Sequence, residues 1–379
     1  MLLLNKKLWA LLSAMLILSF TACSDDDSDS PINSGEESSI EALVLNQGSW
    51  SKNLGSISVV YRNGMVNPDI FRQVNNRPLG DVAQSIEEIN GKYFVTLSNS
   101  KKIEIIAPES FRSLGTILYP KEGNPQQIVA ISDNEAIVSD IKNQLVRIKT
   151  VAPYDKPLEY ISIPSAIQYM AVLNNKLFGL SKQGLYVFDL DRINAQSVRQ
   201  IPNIKSSEET STCKMLVDKN KKLWVLMNEK DGIVLKCVDP IQEKSVASHK
   251  LPFVSEEDIK PGDVWAGVSY NRTDIDPTLT WIYFNVQTCT IKSSWSGVST
   301  QQSVYRMNVE TGKFELYRDV PGISMMYGFG VNSEGDVFIC DCLDYSSQRG
   351  YLRKFKKDEM IISYRVGIYP AQVYFPKTK

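Results

Sequence analysis

Short runs of alternating apolar and polar residues, each led in by a turn of Asn, Asp or Gly, recur through most of this chain. The clearest are Asn90-Gly91-Lys92-Tyr93-Phe94-Val95, Asn174-Asn175-Lys176-Leu177-Phe178, Asn220-Lys221-Lys222-Leu223-Trp224-Val225 and Ser333-Glu334-Gly335-Asp336-Val337-Phe338-Ile339. Such turns supply the positive φ angles of tight hairpins, and the aromatic and β-branched residues after them suit a pleated, half-buried surface. Each run therefore predicts a hairpin. A second alternating stretch follows, as in Ile103-Glu104-Ile105-Ile106 or Leu185-Tyr186-Val187-Phe188, and a more polar third one, such as Leu158 to Ile163, closes the unit. No helical period persists beyond short turns such as Ser255-Glu256-Glu257-Asp258, which argues against a helical solenoid.

With the strand before each hairpin turn taken as the innermost of four, inner strands are predicted to start near Ala83, Pro125, Ala166, Thr212, Val264, Met325 and Ala371. That spacing, roughly 40 to 60 residues, matches one four-stranded propeller blade with its loops. After the last start only Ala371 to Phe375 follows, while Glu41 to Tyr61 supplies a hairpin without an inner strand. Joining the two predicts an all-β fold, a seven-bladed β-propeller over residues 40–379 whose first blade is closed by the C-terminal strand. Closure would remove the exposed edges of an open array. A pair of β-sandwiches leaves the terminal strand unexplained.

Residues 1–39 follow another pattern. Lys6 and Lys7 precede an apolar stretch from Leu8 to Phe20, then Thr21 and Ala22, then Cys23 and the run Ser24-Asp25-Asp26-Asp27-Ser28-Asp29. A bilayer needs about 20 apolar residues, so residues 1–22 read as a secretory signal and not a spanning helix. Residues 23–39, poor in large apolar side chains, read as a flexible acidic tether. A cysteine at the cleavage point resembles a bacterial lipobox, which implies lipidation of Cys23, although Phe20 stands where Leu is usual. The acidic run resembles the lipoprotein export signal of Bacteroidota, which implies the outer face of the outer membrane. A plain acidic linker is the alternative.

Charge and chemistry narrow the classes. A formal net charge of −1 argues against a nucleic-acid partner. Six cysteines leave an odd number once Cys23 is lipidated, which does not suggest a disulfide framework. Cys213, Cys237 and Cys340 read as small buried hydrophobes, and Cys289 and Cys342, on neighbouring loops, are not expected to pair. His249 is the only histidine and is expected to be solvated at a blade edge, so no Ser/His/Asp set or histidine cage is available. Asp274-Ile275-Asp276 offers calcium-type ligands but reads better as loop charge. The expectation is a protein that is not an enzyme and carries no cofactor or metal.

In such a ring, the connections between blades and those between second and third strands share one face. On that face lie the long segments Gly48 to Gly55, Asn75 to Asp81, Leu251 to Asp263, Gln287 to Gln302 and Asp344 to Ser347, which favours it as the functional one. Trp50, Trp265, Trp295, Tyr327, Tyr345 and Tyr369 fall on or beside these segments, and broad aromatic faces suit a large, partly apolar ligand. Trp265 and Tyr327 also read as caps on the core. Arg77, Asp81, Asn99, Asn228 and Gln372 would add hydrogen bonds around the central funnel, or else satisfy loop backbone.

Three segments resemble a known family. Leu45-Asn46-Gln47-Gly48-Ser49-Trp50 with Gly55 to Tyr61, then Pro78 to Ile86, and finally Val366 to Phe375, are similar to Bacteroidota surface lipoproteins with a YncE-like seven-bladed propeller. The resemblance runs from about Glu41 to Phe375 and is strongest at its ends; Gln47-Gly48-Ser49 departs where an acidic residue and Asn are common. Among the relatives are BtuG lipoproteins, which capture vitamin B12 and other corrinoids for a TonB-dependent transporter. What the resemblance implies is a lipid-anchored receptor that binds a bulky nutrient, a corrinoid, and passes it to such a transporter. It assigns no contact to a numbered residue. A siderophore, haem or glycan receptor, a propeller lyase or lactonase, and a scaffold on a transporter are the alternatives.

Overall fold

A computed structural model describes residues 39–119, 123–204, 214–229, 232–251, 264–267, 273–291 and 298–376. The signal segment, Cys23 and its tether, Cys213, Ser255 to Asp258 and Trp295 lie outside the described residues. The described chain folds into seven antiparallel sheets arranged as the blades of a propeller. Blade I runs outward from Pro370–Tyr374 through Ile40–Asn46 and Ser56–Tyr61 to Val66–Asn67. The other inner strands are Ala83–Ile89 in blade II, Pro125–Ala130 in III, Tyr169–Leu173 in IV, Leu216–Val217 in V, Val264–Gly267 in VI and Met326–Val331 in VII. In blade IV the strand begins later than Ala166, yet the Gln168 N–H already donates to Leu180 O at 2.8 Å, so the chain is extended before regular pairing starts.

Closure is a matter of register and packing together. Leu43, Val44 and Leu45 pair with Tyr374, Val373 and Gln372. Leu43 and Leu45 pack with Ala83, Ile86 and Tyr93 of blade II, whereas Ala42, Val44 and Val373 pack with Phe338, Cys340 and Leu352 of blade VII. A two-faced sheet thus buries both sides against its neighbours, each large apolar side chain contributing about 1.5–3 kcal/mol. The hairpin turns have the expected left-handed backbone, with φ of 51° and 64° at Asn90 and Gly91 and 51° and 56° at Asn174 and Asn175. On this short-turn face, ion pairs join adjacent blades: Glu243 to Lys176 at 2.7 Å and Arg199 at 2.8 Å, Lys219 to Glu310 at 2.6 Å, and Arg62 to Glu334 at 2.6 Å.

The structure corrects three expectations. Gln287 to Gln302 is not a loop but mostly strand: Trp281–Ile291 and Val298–Asn308 pair through eleven positions, extending this hairpin beyond the other blades. Its Thr- and Gln-rich sequence reads as polar loop, but Thr is a good strand former wherever a partner strand is present. A short helix, Ile70–Asn75, follows the outer strand of blade I, capped by the Asp69 carboxylate on Arg72 N–H and anchored by buried Phe71. Six residues are too few to register as a period. His249 is not solvated: it is half-buried, its ring 5.9 Å from that of Trp224, and a Cβ on Gly312 would lie 2.1 Å from it.

Candidate functional site

Two cavities open on the long-loop face, and the residues around them are held by backbone contacts between blades. In blade I the N–H groups of Gln47 and Gly48 donate to Tyr369 O at 2.8 Å and Ile368 O at 3.0 Å, tying the Gly48 to Gly55 loop to the connection that leaves blade VII. Gly48 has φ of +76°, and a Cβ there would lie 2.4 Å from Leu54 and Gly55 backbone, so only glycine makes this turn. The turn sends Trp50 outward, 67% exposed. Ser49 and Ser347 hydroxyls bond at 2.7 Å, which sets the loop bearing Tyr345, 82% exposed, beside it.

Tyr327 arrives by a different device. Met326 pairs with Asp341 and Gly328 with Cys340, so Tyr327 is the extra residue of a β-bulge, and bulges re-aim a side chain. Its hydroxyl donates to Gln47 Oε1 at 2.8 Å. Tyr369, at φ of 52°, stands just before the closing strand, and burial raises its phenol pKa, keeping it a protonated donor. Trp50, Tyr327, Tyr345 and Tyr369, with Gln47 to Ser49, Val82 and Ser347, line a cleft of about 350 Å³.

Gln47 and Tyr327 also line the second cavity, a central funnel of about 610 Å³. Its wall is the mouth end of the inner strands: Ala83 to Ser85, Gln126 and Gln127, Ala166 to Tyr169, Ala371 to Val373, and Phe329. Bulges recur here, between Ala83 and Ser85 and between Pro125 and Ile128. Lys182 and Lys214 stand at the same wall.

The cleft unites four of the six aromatics singled out from sequence, whereas the polar candidates scatter. Gln372 lines the funnel but is engaged with Ile86, accepting from its N–H at 3.1 Å and donating to its carbonyl at 3.3 Å. Arg77 lines neither cavity. Its guanidinium lies over Phe71 and meets the fully buried Glu104 at 2.6 Å. Burial pushes the Glu104 carboxyl up, but hydrogen bonds from Arg77 and Ser113, with Lys102 close by, hold it below the usual range. Asp81 is buried and its Oδ2 accepts from Asn99 Nδ2, while its N–H donates to Ser100 Oγ at 2.7 Å, so these two candidates pair with each other. Trp265 lies in the inner strand Val264–Gly267, opposite Cys289, and Asn228 in Leu223–Glu229, opposite Ile233.

Of the funnel's amides, sequence reasoning singled out Gln372 and missed Gln84, Gln126, Gln127 and Gln168. Gln recurs at the start of inner strands, in Ala83-Gln84, Pro125-Gln126-Gln127, Ala166-Ile167-Gln168 and Ala371-Gln372, and that recurrence was the available signal. Among the described residues, no group of three or more His, Cys, Asp or Glu is placed to hold a metal. Asp274 pairs with Lys214 at 2.8 Å and accepts from Val331 N–H at 2.9 Å, and Asp276 accepts from Thr280 and Trp281 N–H at 2.9 and 2.7 Å. Cys237, Cys289, Cys340 and Cys342 are all buried.

No protein family matches the chain by sequence profile, and no curated protein matches it in sequence. Solved structures match in fold. A quinonprotein alcohol dehydrogenase-like protein of Bacteroides thetaiotaomicron is similar with a TM-score of 0.64 at 12% identity, over 89% of this chain and 78% of that one. A putative 6-phosphogluconolactonase of Bacteroides fragilis gives 0.61 at 8% identity, over 90% and 100%. Hydrazine synthase of Kuenenia stuttgartiensis gives 0.55 at 10% identity, over 76% and 87%. Such identities speak to the propeller fold alone, and one fold hosts unrelated chemistries.

Proposed function

We propose that this protein is a non-enzymatic receptor that captures a bulky, partly apolar ligand on its long-loop face. One observation carries the reading: Trp50, Tyr327, Tyr345 and Tyr369, brought from four separate segments, meet in one cleft that shares Gln47 and Tyr327 with the funnel. Cavities of about 350 and 610 Å³ fall in the range of small-molecule sites. Aromatic faces would take a flat apolar surface of the ligand, and the amide wall its polar edge. The sole histidine supports a binding role, since its ring lies tilted against Trp224, 5.9 Å between centroids, and lines neither cavity.

The cargo we propose is a corrinoid, on the resemblance of the chain's two ends to BtuG-like lipoproteins. In this reading a lipid on Cys23 anchors the propeller at the outer-membrane surface, and the tether lets it present cargo to a TonB-dependent transporter. Titration of intrinsic tryptophan fluorescence with cyanocobalamin and cobinamide tests it. Saturable quenching is expected, weakened in Trp50→Ala and Tyr345→Ala. Absence of binding at micromolar corrinoid would overturn the corrinoid assignment, and saturable binding of haem, a siderophore or a glycan would replace it.

A further inference from the structure

Gln84 and Gln126 occupy equivalent places in blades II and III. Each lies in the bulged stretch of its inner strand, between Ala83 and Ser85 and between Pro125 and Ile128, and each lines the funnel. Their amide nitrogens are already engaged by the protein. Gln84 Nε2 donates to Ser98 Oγ at 3.4 Å, and Gln126 Nε2 donates to the carbonyls of Asn124 and Pro125 at 3.2 and 3.3 Å. The two carbonyls fix which way the Gln126 amide is turned, since the reverse orientation would set its oxygen against them; at Gln84 the Ser98 hydroxyl gives its proton to Val82 O at 3.4 Å and so accepts from the amide. Gln126 has its side-chain oxygen left to offer, and Gln84 its side-chain oxygen and one N–H.

The surroundings hold both residues in place. Gln126 O accepts from Ser85 Oγ at 3.0 Å and from Thr96 Oγ1, which locks the bulge of blade III to blade II. On either side, Gln127 clasps the backbone of Met170 and Gln372 that of Ile86. Among the described residues, the lining carries two formal charges, both positive: Lys182, exposed, and Lys214, paired with Asp274 at 2.8 Å.

We infer that this arc of the funnel reads a neutral hydrogen-bond donor on the ligand, a carboxamide N–H or a hydroxyl, with Gln84 and Gln126 as specificity-determining residues. The inference deepens the proposal that this face binds ligand, and rests on it. A carboxylate has no proton to give to either side-chain oxygen, and an ammonium would meet the charge of Lys182. A site built to pair a donor discriminates sharply against an isostere that lacks one, because its own acceptors are then left unpaired.

Succinamide and succinate are matched probes of this chemistry. Saturation-transfer NMR on the mature full-length protein is expected to show succinamide binding with little or no succinate binding. Removing the acceptors in Gln84→Leu and Gln126→Leu should weaken succinamide about 5-fold per lost hydrogen bond. Gln84→Glu, which keeps an acceptor oxygen, should retain it. Succinate binding as well as succinamide, no succinamide binding, or an unchanged signal in both Leu variants would overturn the inference. If one Leu variant does not fold, the other is read with Gln84→Glu. Failure of cyanocobalamin to bind would count against the corrinoid cargo alone, because the succinamide comparison does not depend on it.

Discussion

Asp140 and Asp341 occupy the same place in two blades, III and VII. Each closes the second strand of its blade and is fully buried. The Asp140 carboxylate accepts the N–H of Asn124, on the way into the inner strand, and of Lys142 in its own turn, both at 2.9 Å. Asp341 does the same with Met325 and Leu343, both at 3.1 Å, and also holds Arg353 at 2.8 Å. Replacement by Ala leaves two backbone donors unpaired in each case. We expect Asp140→Ala to lose about 2–3 kcal/mol of stability, and Asp341→Ala about 3–5 because Arg353 also loses its partner. Urea denaturation of the two variants measures both losses, and their order is the diagnostic.

Gln372 joins the closing strand to blade II. Its side chain acts as a piece of strand backbone, accepting from and donating to Ile86. Gln372→Ala should therefore reduce unfolding free energy by about 1–2 kcal/mol. Gln372→Glu should fall between wild type and Ala, since it can still accept from the Ile86 N–H but faces the carbonyl with an oxygen. Equal stability of all three proteins would mean that the clasp contributes nothing.

Arg77 is predicted to matter for stability and not for ligand. Glu104 is wholly buried and depends on Arg77 and Lys102 for its charge. Arg77 is itself 39% exposed, which weakens its half of the pair, and Lys102 remains after its removal. Arg77→Ala should cost about 1–3 kcal/mol by thermal or chemical denaturation, with affinity for the proposed ligand unchanged.

The architecture was legible in the sequence because blade turns demand left-handed residues and blade cores demand alternation, and both are local. Inner strands at Ala83, Pro125 and Val264 begin where the pattern places them. The aromatic part of the candidate cleft was legible too: Trp50, Tyr327, Tyr345 and Tyr369 are large aromatic residues on or beside loops, conspicuous wherever the chain folds. The fates of Arg77, Asp81 and Asn99 were not legible, since pairing with Glu104 or with one another is decided by contacts between segments distant in sequence. Gln84 and Gln126 were hidden because the bulges that aim them alter the register without altering composition.

Trp50 and Tyr345, at 67% and 82% exposure, carry little of the fold's burial. Trp50→Ala and Tyr345→Ala should shift stability by less than about 0.5 kcal/mol. On the proposed function, the same substitutions should weaken binding of the proposed corrinoid about 10- to 100-fold, as expected for aromatic anchors. Paired melting curves and fluorescence titrations separate the two effects, and a large loss of stability would show that these side chains serve the fold.

Glu243 makes a prediction about acid. It lies in a turn of blade V and binds Arg199 and Lys176 of blade IV at 2.8 and 2.7 Å. The hydrogen bond from Arg199, then that from Lys176, outweighs burial and lowers the Glu243 carboxyl to about 2 from its ordinary 4.5. A lowered carboxylate pKa contributes stability that is complete above the unfolded value and is lost as pH falls through the folded one. Between about pH 5 and pH 2 the unfolded chain takes up this proton while the folded chain refuses it, so folding weakens with acidification. Solvent reaches the pair, Arg199 being 39% exposed, so the contribution at pH 7 is on the order of 1–2 kcal/mol. Glu243→Gln should therefore melt below wild type at pH 7, and the gap should narrow toward pH 2. Melting curves that run parallel over that range would mean that the charge of Glu243 does not hold blades IV and V together.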